Sequence, residues 1–109
     1  MMDEMISIIR GFAPNLSPKY NKFYVGLADK TGHPSNFILF RPKKDWLRFE
    51  PRVETSPEIQ EKLEGAGVDV MDYDARWGRY RIRLAKGDIR KHDALIRDLL
   101  RRAYDENSR

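Results

Sequence analysis

The sequence predicts an α+β protein. It reads as a mostly antiparallel sheet of about four strands with helices packed mainly on one face, in the order α-β-β-β-α-β-α. Three observations predict this. WLRFEPRV (46–53) and the arginine-rich end of VDVMDYDARWGRYRIRL (68–84) alternate apolar and charged residues with period two, the mark of strands with one buried face. SPEIQEKLEGAG (56–67) and GDIRKHDALIRDLLRRAYDENSR (87–109) carry apolar residues at helical spacing, bounded by capping signals. Finally, successive strand-like stretches follow one another through short turns, without the strict strand–helix alternation of a parallel sheet.

DEMISIIRG (3–11) reads as a short opening helix. Asp3 caps it, Met5, Ile6 and Ile9 share a face, and Gly11 stops it. APNLSPKYN (13–21), with two prolines and two asparagines, reads as loop. KFYVGLA (22–28) is a strand rich in aromatic and aliphatic residues, followed by the turn ADKTGHPSN (28–36). NFILFRP (36–42) is a continuous apolar run, which predicts an interior strand covered on both faces. After the basic turn Arg41–Asp45, the strand at 46–53 points Leu47, Phe49 and Val53 one way and Trp46, Arg48, Glu50 and Arg52 the other.

Ser56 then caps a helix with Pro57 at its first position and Glu58 in its first turn. Ile59 and Leu63, four apart, face the core, and Gly65 and Gly67 end it. Residues 68–84 supply the last strand, with Gly78, Tyr80, Ile82 and Leu84 toward the core and Trp77, Arg79, Arg81 and Arg83 away from it. The closing helix, capped by Asp88, carries the stripe Ile89, His92, Leu95, Ile96, Leu99, Leu100 and Ala103. Opposite the stripe, Asp93–Arg97 and Asp98–Arg102 have i,i+4 spacing.

A length of 109 residues corresponds to one domain, with 1–19 as a helix-and-loop lead-in. Apolar residues are 40% and charged residues 35% of the chain, as in a globular protein with a richly charged surface. The absence of cysteine excludes disulfides, thiolate catalysis and zinc–thiolate sites. No apolar run approaches the ~20 residues of a membrane span, and the N-terminus lacks an apolar leader segment. The expectation is a cytoplasmic protein without a membrane partner. Net charge is +4, unevenly distributed. Residues 53–75 hold seven carboxylates against Lys62 alone, between basic stretches at 41–52 and 76–109. Such segmentation suggests a polyanionic partner.

No phosphate-binding glycine motif, nucleophile elbow or paired-histidine motif occurs. His92 lies on the apolar stripe and His33 in a Gly-His-Pro turn, both structural placements. Asp69, Asp72 and Asp74 form an acidic cluster of the kind that holds Mg²⁺ or Mn²⁺ in a metal-dependent hydrolase. Asp-rich turns ahead of strands are common for a backbone reason, because Asp bonds to its own main chain. No catalytic residue, metal ligand or cofactor is therefore assigned, and the chain is not expected to be an enzyme.

What remains is a basic, tryptophan-containing sheet face: Trp46, Arg48, Arg52, Trp77, Arg79, Arg81 and Arg83. Alternate strand residues stand about 7 Å apart, near the phosphate repeat of a single strand. Sheets that bind single-stranded nucleic acid stack bases on aromatic rings and hold phosphates with Arg or Lys. Such a face equally suits a homodimer or a protein partner. The reading is a non-catalytic binding module that contacts nucleic acid; the alternative is a homodimerisation or protein-partner module using the same face.

NFILFRPKK, GVDVMDYDARWGRYRIRL and the final amphipathic helix together resemble a bacterial domain of unknown function whose members carry the label "predicted transport protein". The layout over about residues 20–104 is also similar to the YdhG/YjbR-like small domains. The resemblance implies a compact α+β fold used as an accessory module of longer chains, and it brings no catalytic residues. The transport label has no counterpart in an apolar spanning segment here.

Overall fold

In a computed structural model describing residues 2–107, six strands form one antiparallel sheet in the order β1-β2-β3-β4-β6-β5. The elements are α1 (Met2–Arg10), β1 (Ser17–Tyr20), β2 (Val25–Ala28), β3 (Pro34–Pro42), β4 (Trp46–Pro51), α2 (Pro57–Ala66), β5 (Asp69–Asp74), β6 (Arg79–Ala85), α3 (Asp88–Lys91) and α4 (Asp93–Asn107). The expected class holds. The expected strand number and order do not: the chain runs α-β-β-β-β-α-β-β-α-α.

Each departure has a local cause. Ser17–Tyr20, read as loop, pairs with β2 as an edge strand, where Pro18 is tolerated because one side of the strand needs no ladder partner. The stretch 68–84 is two strands joined by a turn rather than one. Gly78 takes φ +68° there, the left-handed conformation that a turning chain needs, and the Asp74 carboxylate accepts the Trp77 N–H at 3.3 Å. The closing helix breaks at His92, whose φ of −112° and ψ of 29° separate α3 from α4. Gly87 holds the N-cap position, and the Asp88 carboxylate instead accepts the Ala85 N–H at 2.7 Å. The middle helix is as expected: the Ser56 hydroxyl accepts the Ile59 N–H, and Gly67 closes the helix at φ +70°.

The helices pack on one face of the sheet. α4 lies against β3 and β4, α3 against β6, and α2 beside α4. Leu47, Phe49, Tyr80, Ile82 and Leu84 meet Ile96, Leu99, Leu100 and Ala103 in one core, which Met5, Ile8 and Ile9 of α1 join. Tyr104 of α4 sits edge-on to both Phe12 and Phe37. The Asp93–Arg97 and Asp98–Arg102 pairs form as spaced, at 2.8 and 3.0 Å. No helix among the described residues is long and apolar enough to cross a membrane.

β3 shows why its sequence reads as covered on both faces. Val25 pairs with Phe40 and Leu27 with Ser35, so two steps of β2 oppose five of β3. This bulge places consecutive residues, Phe37 and Ile38, in the core. Beyond it the alternation resumes. Phe40 points inward at 0% exposure, and Leu39 and Arg41 are half-buried on the outer face. β3 is interior to the sheet, but its outer face is uncovered.

Candidate nucleic-acid interface

Strand register decides which charged residues meet on the open face. Arg41 of β3 stands opposite Arg48 of β4, Arg48 opposite Arg83 of β6, and Arg83 opposite Asp69 of β5. Three guanidiniums therefore line up across three neighbouring strands. Two aromatic rings lie beside the row, Tyr24 just before β2 and Trp46 two residues before Arg48 on β4. The Arg41 guanidinium lies 5.8 Å from the Tyr24 ring centre and that of Arg83 lies 5.4 Å from Trp46, both within cation–π reach.

One buried carboxylate stabilises this row. Glu50, 4% exposed, lies two residues along β4 from Arg48. Its Oε2 accepts the Nε–H of Arg41 at 2.7 Å and the Nε–H of Arg48 at 2.9 Å. A buried carboxylate is tolerated when paired and hydrogen-bonded, and here both conditions are met by the same two side chains. Arg83 is less tightly held, with Asp69 at 3.8 Å and both partners well exposed.

Arg79 has a different position from its strand mates. It is 7% exposed, and its guanidinium donates to the backbone carbonyls of Glu50 at 3.1 Å and Asn36 at 2.8 Å. Burial pulls its pKa below the ordinary arginine value, with Glu50 opposing that shift and Arg52 and Arg41 adding to it. Arg79 thus ties β6 to β4 and β3 and turns its charge inward. Arg81 is half-buried and donates from Nε to the Asp72 carbonyl at 2.9 Å. Arg52 is exposed, just past β4, and bridges in register to Arg79.

Trp77 sits in the β5–β6 turn, 56% exposed, with the Arg76 guanidinium 5.2 Å from its ring centre. It borders a cleft of about 380 Å³ shared with Arg52, Tyr73 and Asn107. Burial raises the Tyr73 phenol above its ordinary pKa, and its hydroxyl donates to the Val53 carbonyl. Trp46 pairs with Ala85, at the other end of β6. The six steps of β6 from Arg79 to Ala85 span about 20 Å. Trp77, in the turn before Arg79, and Trp46, beside Ala85, therefore lie at opposite ends of the strand and do not form one platform.

Of the seven sequence-derived residues, the structure gathers Trp46, Arg48 and Arg83 and sets Trp77 and Arg52 at the far end. Arg81 lies between, and Arg79 is committed to the backbone. Sequence reading missed Arg41 and Tyr24 as members of this face, and the burial of Glu50 between Arg41 and Arg48. Arg41 falls both at the end of the expected strand 36–42 and at the start of the basic turn, and the Leu39–Arg41 alternation with Ile38–Phe40 carries its facing. Asp69, Asp72 and Asp74 line one edge strand without converging: among the described residues no group of three His, Asp or Glu could hold a metal ion.

Fold and face together define a single-sheet α+β protein whose open sheet face carries an arginine row with two aromatic rings beside it. No family model matches the chain, and neither curated proteins nor solved structures provide a match.

Proposed function

We propose that the chain is a non-catalytic binding module that takes single-stranded nucleic acid on its open sheet face, with phosphates on the arginines and bases against the neighbouring rings. The observation that carries this reading is the unbroken cross-strand row Arg41–Arg48–Arg83. Like charges directly opposite each other destabilise a sheet; Glu50 offsets one of the three, and the exposed Asp69, 3.8 Å from Arg83, offsets a second only weakly. The surplus is what a polyanion would neutralise. The rings of Tyr24 and Trp46 beside the row supply the sequence-tolerant stacking that such ligands use. An accessory role in a longer bacterial chain, as the resemblance implies, is compatible with this reading.

Self-association through the same face is disfavoured by its charge. A twofold interface places a patch against itself, so arginine rows would meet arginine rows. A partner protein would have to be acidic.

Titrating tryptophan fluorescence with a twelve-nucleotide oligothymidylate at low and moderate salt tests the reading. Three phosphate contacts predict a slope of about −2 in log affinity against log salt. Trp46→Ala should weaken binding of short and long strands alike, by about ten-fold for one lost stack. Trp77→Ala should matter only for strands long enough to reach the far end of β6. Absence of binding at low salt, or binding indifferent to salt, would refute the proposal. A dimer seen by sedimentation and dispersed by Arg48→Ala would favour the interface reading instead.

A further inference from the structure

The pairing of Arg41 and Arg48 with Glu50 is more specific than a diffuse basic surface requires. Both guanidiniums use the same edge atom, Nε, and both reach the same oxygen, Glu50 Oε2. A guanidinium bonded through Nε still has its two terminal nitrogens in a planar fork. That fork is the part of arginine that grips a phosphoryl or carboxylate group bidentately. The side chains are 28% and 22% exposed and stand directly opposite each other on β3 and β4. Their anchor is almost fully buried, at 5% side-chain exposure, on a rigid central strand. Arg83 lacks such an anchor: its ion-pair partner, Asp69, is an exposed edge-strand residue at 3.8 Å.

We infer that Arg41 and Arg48 form a pre-organised subsite for one phosphoryl group, and that Glu50 is the positioning residue that aims both forks outward. The inference rests on the nucleic-acid reading for its natural ligand, since it assigns the phosphate of one nucleotide to one place on the face. Pre-organisation of this kind lowers the ordering cost of binding. It also makes arginine irreplaceable. A lysine bonded to Glu50 would keep N–H donors, but all on the one nitrogen already drawn to the carboxylate, with no planar two-nitrogen fork to present.

Lysine substitution therefore separates geometry from charge, because the net charge does not change. The double variant R41K,R48K should bind the twelve-nucleotide oligothymidylate at least about five-fold more weakly than the parent chain, whereas R83K stays within about two-fold. Two Glu50 variants, each raising net charge by one, provide the second arm. E50Q keeps an accepting oxygen for both Nε–H groups and should bind at least as tightly as the parent. E50L removes the acceptor and should bind several-fold more weakly than E50Q.

Equal affinity of R41K,R48K and the parent, an equal loss in R83K, or equal affinity of E50L and E50Q would each overturn the subsite and leave diffuse charge attraction. Tripolyphosphate, followed by phosphorus NMR, distinguishes the subsite from the strand. If the parent takes tripolyphosphate but no oligonucleotide, and R41K,R48K loses it, the subsite stands and the nucleic-acid reading falls. If the parent takes neither, both fall. The lysine variants change only partly exposed side chains, so they remain informative even if E50L fails to fold.

Discussion

Replacing Arg79 by alanine tests whether the most buried arginine of the sheet is structural. Its guanidinium donates two hydrogen bonds, to the Glu50 and Asn36 carbonyls, from a site 7% exposed. Bonds from a charged donor contribute roughly 1.5–3 kcal/mol each, so together they amount to about 3–6 kcal/mol. Against this stand the desolvation of the cation and the repulsion from Arg52 and Arg41, the influences that lower its pKa. Removing the side chain relieves both. It also strands two carbonyls and deletes the packed stem, so the net loss should be about 3 kcal/mol. For a domain of this size that corresponds to a fall in Tm on the order of 12–24 °C. Urea denaturation followed by tryptophan fluorescence measures the free energy, and calorimetry the Tm. Arg79→Lys should fall between parent and alanine, because one ammonium cannot reproduce the fork across two carbonyls. A loss below about 0.5 kcal/mol would refute the reasoning, since that is the scale of an ordinary surface change. So would a loss of oligonucleotide affinity in folded Arg79→Ala as large as that of Arg48→Ala, because the clamp faces inward.

Two further predictions concern the helix layer. Ser56→Ala removes the acceptor for the Ile59 N–H at the start of α2 and should cost about 1 kcal/mol in denaturant titrations. Glu58 sits between Arg102 and Lys62, whose hydrogen bonds, Arg102's foremost, hold its carboxyl below the ordinary value of 4.5. A lowered carboxylate stabilises the fold above its unfolded pKa and ceases to do so as pH falls through its folded pKa. The Glu58–Arg102 pairing should therefore matter near neutrality and vanish in the acid range. Arg102→Ala should move the Glu58 titration upward when followed by carboxyl NMR, and an unmoved titration would show that Arg102 does not set it.

Much of the fold was legible because burial imposes a period. Leu47, Phe49, Tyr80, Ile82 and Leu84 follow strand alternation, and all five are at or below 2% exposure. Ser56 and Gly67 bound α2 because their chemistry suits those positions better than that of most residues. What escaped were features fixed by tertiary context. β1 is a strand only because β2 offers a partner. The bulge in β3 breaks the alternation at Phe37 and Ile38 and so disguises the open side of that strand. The candidate site was half legible, since strand period alone shows that Arg48 and Arg83 point away from the core. That they oppose each other and Arg41, while Arg79 turns inward and Trp77 lies far from Trp46, depends on register and on the 74–78 turn. Pairing register between strands distant in the chain has no local signature.

The order of the strands gives that register a kinetic meaning. Every neighbouring pair in the sheet is joined by a hairpin except β4 and β6, which are separated in the chain by α2 and β5. The β4–β6 ladder is thus the seam where the amino-terminal meander meets the carboxy-terminal hairpin. Two arginine–arginine oppositions, Arg48–Arg83 and Arg52–Arg79, fall on that seam. Contacts across it join residues far apart in sequence, so they carry the larger loop-closure cost during folding. An anion bridging Arg48 and Arg83 would act as a removable cross-link between the two halves of the chain. Its binding energy would add to their cohesion by mass action, and amide hydrogen exchange in β4 and β6 would slow together when it binds.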